Sequence, residues 1–167
     1  MLYTLQKLLF RDKIRKTLIL GALMRKRLQT AFQPRQYMLS QDFELYYYED
    51  RARPKVSIHA HDYYEFYFFL EGDVQMQIGE DLHPVRYGDI MLIPPNLLHR
   101  PIIKSEDVPY RRFVFWISTD YCNHLLQSSP DYAYIMQYVE IEKQYLFHTD
   151  QIAFNAVQSK LLRILEE

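Results

Sequence analysis

The most regular feature of the chain is a succession of short segments rich in β-branched and aromatic residues: Phe43–Glu49, Lys55–His59, Glu65–Glu71, Val74–Ile78, Asp89–Ile93 and Arg111–Ile117. Turn formers separate them at Ala52-Arg53-Pro54, Glu71-Gly72-Asp73, Gly79-Glu80-Asp81, Gly88-Asp89 and Pro94-Pro95-Asn96. Short strands at this spacing, without strand–helix alternation, predict an antiparallel sandwich or barrel and exclude a dinucleotide fold. Successive strand residues face opposite sides. If Glu65 points inward, Tyr67 and Phe69 go with it, while Phe66, Phe68 and Leu70 pack the other face. In the last strand Tyr110, Arg112, Val114 and Trp116 share one face, opposite Arg111, Phe113, Phe115 and Ile117.

From Ser118 the period becomes helical. Asp120–Gln127 and Asp131–Tyr138 read as short helices, and Val139–Ile141 with Tyr145–His148 as a returning strand pair. Thr149 or Asp150 can cap a final helix with Ile152, Phe154, Val157, Leu161 and Ile164/Leu165 along one side. Before the strands, Met1 to about Phe32 reads as one or two amphipathic helices. It carries eight Lys/Arg against Asp12 alone. The sharp reading of this head is an arm for nucleic acid or a membrane surface; the favoured one is an extension outside the fold.

Composition narrows the classes. A chain of 167 residues, 49% hydrophobic and 16% aromatic, is one ordinary domain with enough material for a core. Four glycines leave little room for a Gly-rich phosphate loop. Cys122 is the only cysteine, so there is no intrachain disulfide and no thiolate metal site, which fits a reducing cytoplasm. Leu18–Met24, the longest apolar stretch of the head, is far short of a membrane span. Residues 33–167 hold 12 basic and 20 acidic groups, and such an acidic body is a poor match to a phosphate backbone.

Candidate chemistry gathers in two segments. One is His59-Ala60-His61-Asp62-Tyr63-Tyr64-Glu65 followed by Gly72; the other runs from Gly88 through Pro94-Pro95-Asn96 to His99. Residues 55–71 as one strand would span roughly 56 Å, so the chain must bend near Asp62–Tyr63, returning Glu65 to the inner face. His59, His61, Glu65 and His99 suit a divalent first-row metal, identity open. The alternative is a polar lining that hydrogen-bonds an effector. Tyr67, Phe69, Arg112 and Trp116 could clamp a sugar or an acidic metabolite, or simply be core. His83, His124 and His148 receive no role. No Ser/His/Asp arrangement is recognisable, and Cys122 has no paired histidine motif, so nucleophilic catalysis is unsupported.

The two segments resemble the paired motifs of the cupin superfamily, matching at every defining position from His59 to Gly72 and again at Gly88, Pro94 and His99. They depart at Asn96, where the family usually has Gly, and at Ile103, where it has Asn. The runs His59–Gly72, Gly88–Pro95 and Tyr110–Ile117, with the helical tail, are similar to the sensor domain of AraC-type transcription regulators. The resemblance implies a mainly β, jelly-roll-type antiparallel barrel followed by C-terminal helices. Three parts are expected: a basic extension over 1–34, a sensor barrel with a short helical insert over 35–148, and the start of a dimerisation helix over 149–167. It further implies a small-molecule effector, a homodimer through Val157, Leu161, Ile164 and Leu165, a switching arm near Tyr37–Tyr48, and DNA contact only through a helix-turn-helix part that this chain lacks. A binding module is thereby favoured over an enzyme. The other reading is a free-standing metal-dependent cupin enzyme of isomerase or dioxygenase type.

Overall fold

A computed structural model describes Gly21, residues 28–51 and residues 55–167. Nearly all of the basic head, with its expected helices, and the turn at 52–54 lie outside the described residues. Eight strands follow: β1 (Phe43–Asp50), β2 (Tyr64–Glu71), β3 (Val74–Ile78), β4 (Asp81–Pro84), β5 (Asp89–Ile93), β6 (His99–Ile103), β7 (Tyr110–Ile117) and β8 (Leu146–His148). Between β7 and β8 lie α1 (Thr119–Ser128), a 3-10 turn (Pro130–Tyr132) and α2 (Tyr134–Glu142); α3 (Gln151–Glu166) closes the described chain. The strands form two antiparallel sheets, ordered β1-β7-β2-β5-β8 and β4-β3-β6.

Alternation along the strands builds the layers. Tyr48, Tyr67, Phe69, Met91, Ile93, Tyr110, Val114 and Trp116 of the large sheet share one buried cluster with Val74, Met76 and Ile78 of the small one. The opposite face of the large sheet is covered by helices. Tyr64, Leu92 and Ile117 pack with Cys122 of α1 and Met136 and Val139 of α2. Tyr47, Phe68 and Phe113 pack with Phe154 and Leu161 of α3. The inner and outer sets read from the sequence for β2 and β7 are the ones found. Gly72, at the tip of the β2–β3 hairpin, has φ +134°, a conformation that side chains rarely adopt. A Cβ there would also press on the Tyr110 ring and on Val74.

Two expectations are corrected and two strands were not foreseen. Lys55–His59 is not a strand: only His59 pairs, in an isolated bridge to His99. Their amides and carbonyls exchange bonds of 3.1 and 2.9 Å, so the next rung would need an N–H at position 101. That residue is Pro101, which has none. Val139–Ile141 is the last turn of α2, not a strand, because Met136 and Val139 bury one face of a helix; Lys143 ends it with φ +58°. β8 pairs with β5 instead. Finally, β4 and β6 escaped the pattern reading, β4 being short and largely exposed and β6 carrying a proline. Asp150, not Thr149, caps α3, accepting from the Ala153 amide; the Thr149 hydroxyl donates to the Gly88 carbonyl.

Candidate metal centre and the adjoining cavity

His59 and His61 lie on the extended segment before β2, Glu65 near the start of β2, and His99 at the first position of β6. The chain bends at Asp62–Tyr63, as the length argument requires. A second turn closes on this one: the Asn96 amide donates to the His61 carbonyl at 2.7 Å. Asn96 has φ +64°, a left-handed conformation that Asn tolerates better than most residues, which explains how it stands in for Gly.

One ligand nitrogen from each of His59, His61 and His99 lies within 4.8 Å of the others. Each ring is held in the same way. Nδ1 of His59 lies 2.9 Å from the Ser57 carbonyl, that of His61 2.9 Å from Tyr63, and that of His99 2.8 Å from Leu97. A carbonyl only accepts, so all three Nδ1 atoms carry the proton and Nε2 is left as the lone-pair nitrogen. The missing rung at Pro101 serves this arrangement, because the Ser57 carbonyl is left for the His59 ring.

Glu65 stands against this set, its Oε2 2.9 Å from His61 Nε2 and 3.6 Å from His99 Nε2. Two acceptors cannot bind each other without a cation between them, either a shared proton or a metal ion. His99 Nε2 is buried without a hydrogen-bond partner. Burial would raise the Glu65 carboxyl, but with a proton shared between them the hydrogen bond from His61, together with the closeness of His99, outweighs it and holds the group well below the usual carboxylate range. Burial likewise lowers His99, and Glu65 reverses that to a net rise. Burial, the larger influence on His59, pushes it down. Fixed tautomers, converging lone pairs, an orphaned buried nitrogen and a neighbouring carboxylate fit a divalent metal ion. The three histidines would hold it, with Glu65 as fourth ligand or as the group that balances its charge. Such an ion would supply Lewis acidity, or redox chemistry if it cycles.

The family model for the cupin domain matches residues 50–116, the span that contains all four of these residues. Residues 50–116 carry a cupin domain. No curated protein matches the chain. Among solved structures, this cupin domain and its surroundings are similar to salicylate 1,2-dioxygenase from Pseudaminobacter salicylatoxidans, with 21% identity over 46% of this chain and 22% of that one, TM-score 0.42. A cupin 2 conserved barrel domain protein from Salinispora arenicola has 16% identity over 57% of this chain and 76% of that one, TM-score 0.43. A protein from Neisseria meningitidis has 20% identity over 54% and 88%, TM-score 0.40. The chain thus spans about a fifth of the dioxygenase's length.

Beside His59 the cupin domain opens into a cavity of about 170 Å³. Of the residues expected to bind a ligand, Tyr67, Arg112 and Trp116 line it; Phe69 belongs to the same buried cluster but not to the cavity wall. Sequence reasoning missed Tyr48 and Tyr110, which follow from the same alternation, and the segment 32–36, which no pattern flags. That segment is latched by Glu44, which binds Arg35 at 2.6 Å and accepts from the Leu39 and Ser40 amides and the Tyr46 hydroxyl. Of the stretch Tyr37–Tyr48, Phe43–Tyr48 is strand, and residues 32–36 just before it meet the cavity.

The expected dimer stripe is largely used within the chain. Leu161 is buried against Tyr47, Phe68 and Phe113, with Val157 and Leu165 packed on the same cluster, while Ile164 is exposed. Among the described residues no helix is long and apolar enough to cross a membrane.

Proposed function

We propose that this cupin domain is the small-molecule sensing part of an AraC-type regulator. The observation that carries the proposal is the wall shared by the cavity and α3. Neighbouring residues of the same strands face opposite ways: Tyr48, Tyr67 and Arg112 line the cavity, and Tyr47, Phe68 and Phe113 carry α3. A ligand that shifts the inner side chains therefore biases the helix on the outer side, and segment 32–36 changes with it because it lines the same cavity. Pairing of two copies through α3 would use Ile164, the exposed one of the four residues expected to pair. The His cluster supports a second reading, a metal-dependent cupin enzyme, because its tautomers and its orphaned nitrogen fit an ion.

The test is a thermal-shift screen of sugars and metabolite acids on metal-loaded and chelator-treated protein. Hits are then followed by hydrogen exchange and by product analysis. A sensor predicts a hit that comes through unchanged and alters exchange in both 32–36 and α3. Conversion of the hit by the metal-loaded protein alone overturns the proposal in favour of the enzyme.

A further inference from the structure

The chemistry of the cavity wall narrows what it binds. Among the described residues no carboxylate lines it, whereas Arg35, Lys55 and Arg112 do. Arg112 is buried and spends only Nη1 on the protein, donating to Asp50 at 2.6 Å and to the Tyr110 carbonyl at 3.3 Å. Its Nε and Nη2 have no partner among the described residues. The Trp116 indole N–H, which can only donate, is buried without a partner. The unpaired donors of Arg112 call for a ligand that brings acceptors. A sugar, each of whose hydroxyls also donates, would answer them only in part. The wall around Arg112 is aromatic, with the guanidinium lying over the rings of Tyr110, Tyr48 and Phe32 at 3.9, 4.7 and 5.3 Å, while Gln33, Gln36 and Ser57 add polar groups elsewhere in the lining. A dry cavity of roughly 150 Å³ accepts a benzene ring, so one of about 170 Å³ admits a single ring with a carboxyl group.

We infer that the cavity binds a small planar monocarboxylate, its carboxylate on the free edge of Arg112 and its flat body against the neighbouring tyrosines. The inference rests on the reading of this cavity as the effector site and adds the class of effector.

Trp116 is the only tryptophan in the chain and lines the cavity, so its fluorescence reports occupancy directly. Chelator-treated protein, in which no metal can recruit the anion, is titrated with benzoate, with its uncharged isostere benzamide, and with arabinose. Saturable quenching by benzoate, with benzamide at least about tenfold weaker, is expected from the loss of a charge-assisted hydrogen bond. Arg112→Gln should weaken benzoate by about the same factor; if that variant does not fold, the pair of probes on the unmodified chain decides. Equal binding of benzoate and benzamide, or binding of arabinose alone, overturns the carboxylate and leaves the effector site standing. No response to any of the three overturns the carboxylate and the effector site together.

Discussion

Two residue-scale features make firm predictions. The first is the histidine set. Protein dialysed against a divalent ion and washed should retain about one equivalent by elemental analysis, and His61→Ala or His99→Ala should lose it, since each removes one of the three converging nitrogens. Retention of the full equivalent by both variants would put the ion elsewhere. The second is Glu44. Burial raises its carboxyl, yet the Arg35, Tyr46 and backbone hydrogen bonds outweigh that and bring it down from 4.5 to about 2. A depressed carboxylate contributes stability above its unfolded value and loses it as pH falls through the folded one. The contribution, about 3 kcal/mol, should therefore vanish between pH 4.5 and 2. Denaturant titrations across that window should show a smaller pH slope in Glu44→Gln. The four candidate ligands were legible in the sequence because they fall in two short motifs, His59–Gly72 and Gly88–His99. Arg35 and Glu44 were not, because their partnership joins a segment without periodicity to the face of a strand.

At the scale of elements, legibility followed burial. β2 and β7 were read correctly down to their faces because both sides are apolar and alternate. β4 was missed because it is short and exposed, and β6 because Pro101 argues against a strand, although that proline sits where the ladder with residue 57 stops. Pro101→Ala restores an amide, allows a second rung, and competes with His59 for the Ser57 carbonyl. Metal affinity should fall with no ligand altered, measured by competition with a chromogenic chelator. The apolar stripe of α3 was legible as a stripe but not as to its partner, since a seam for a second copy and a seam for the sheet look alike. Leu161→Ala should cost about 2–5 kcal/mol of folding stability in denaturant titration. Ile164→Ala should leave stability nearly unchanged and lower self-association in sedimentation if copies pair there.

The whole molecule is a two-sheet body with helices on the outer face of the larger sheet, and it leaves that sheet one long margin. Among the described strands β1 pairs with β7 alone, on one side. On its other side the Tyr47 carbonyl accepts from the Thr30 amide at 2.8 Å and the Glu49 carbonyl from the Gln29 side chain at 2.8 Å. An uncovered strand margin is a template on which other chains can add. The residues just ahead of the barrel thus shield a sticky border as well as meeting the cavity. A chain trimmed to begin at Tyr37 should scatter light and bind amyloid-sensitive dyes at concentrations where the full chain stays clear, and a single Lys placed outward on the bared border should suppress both.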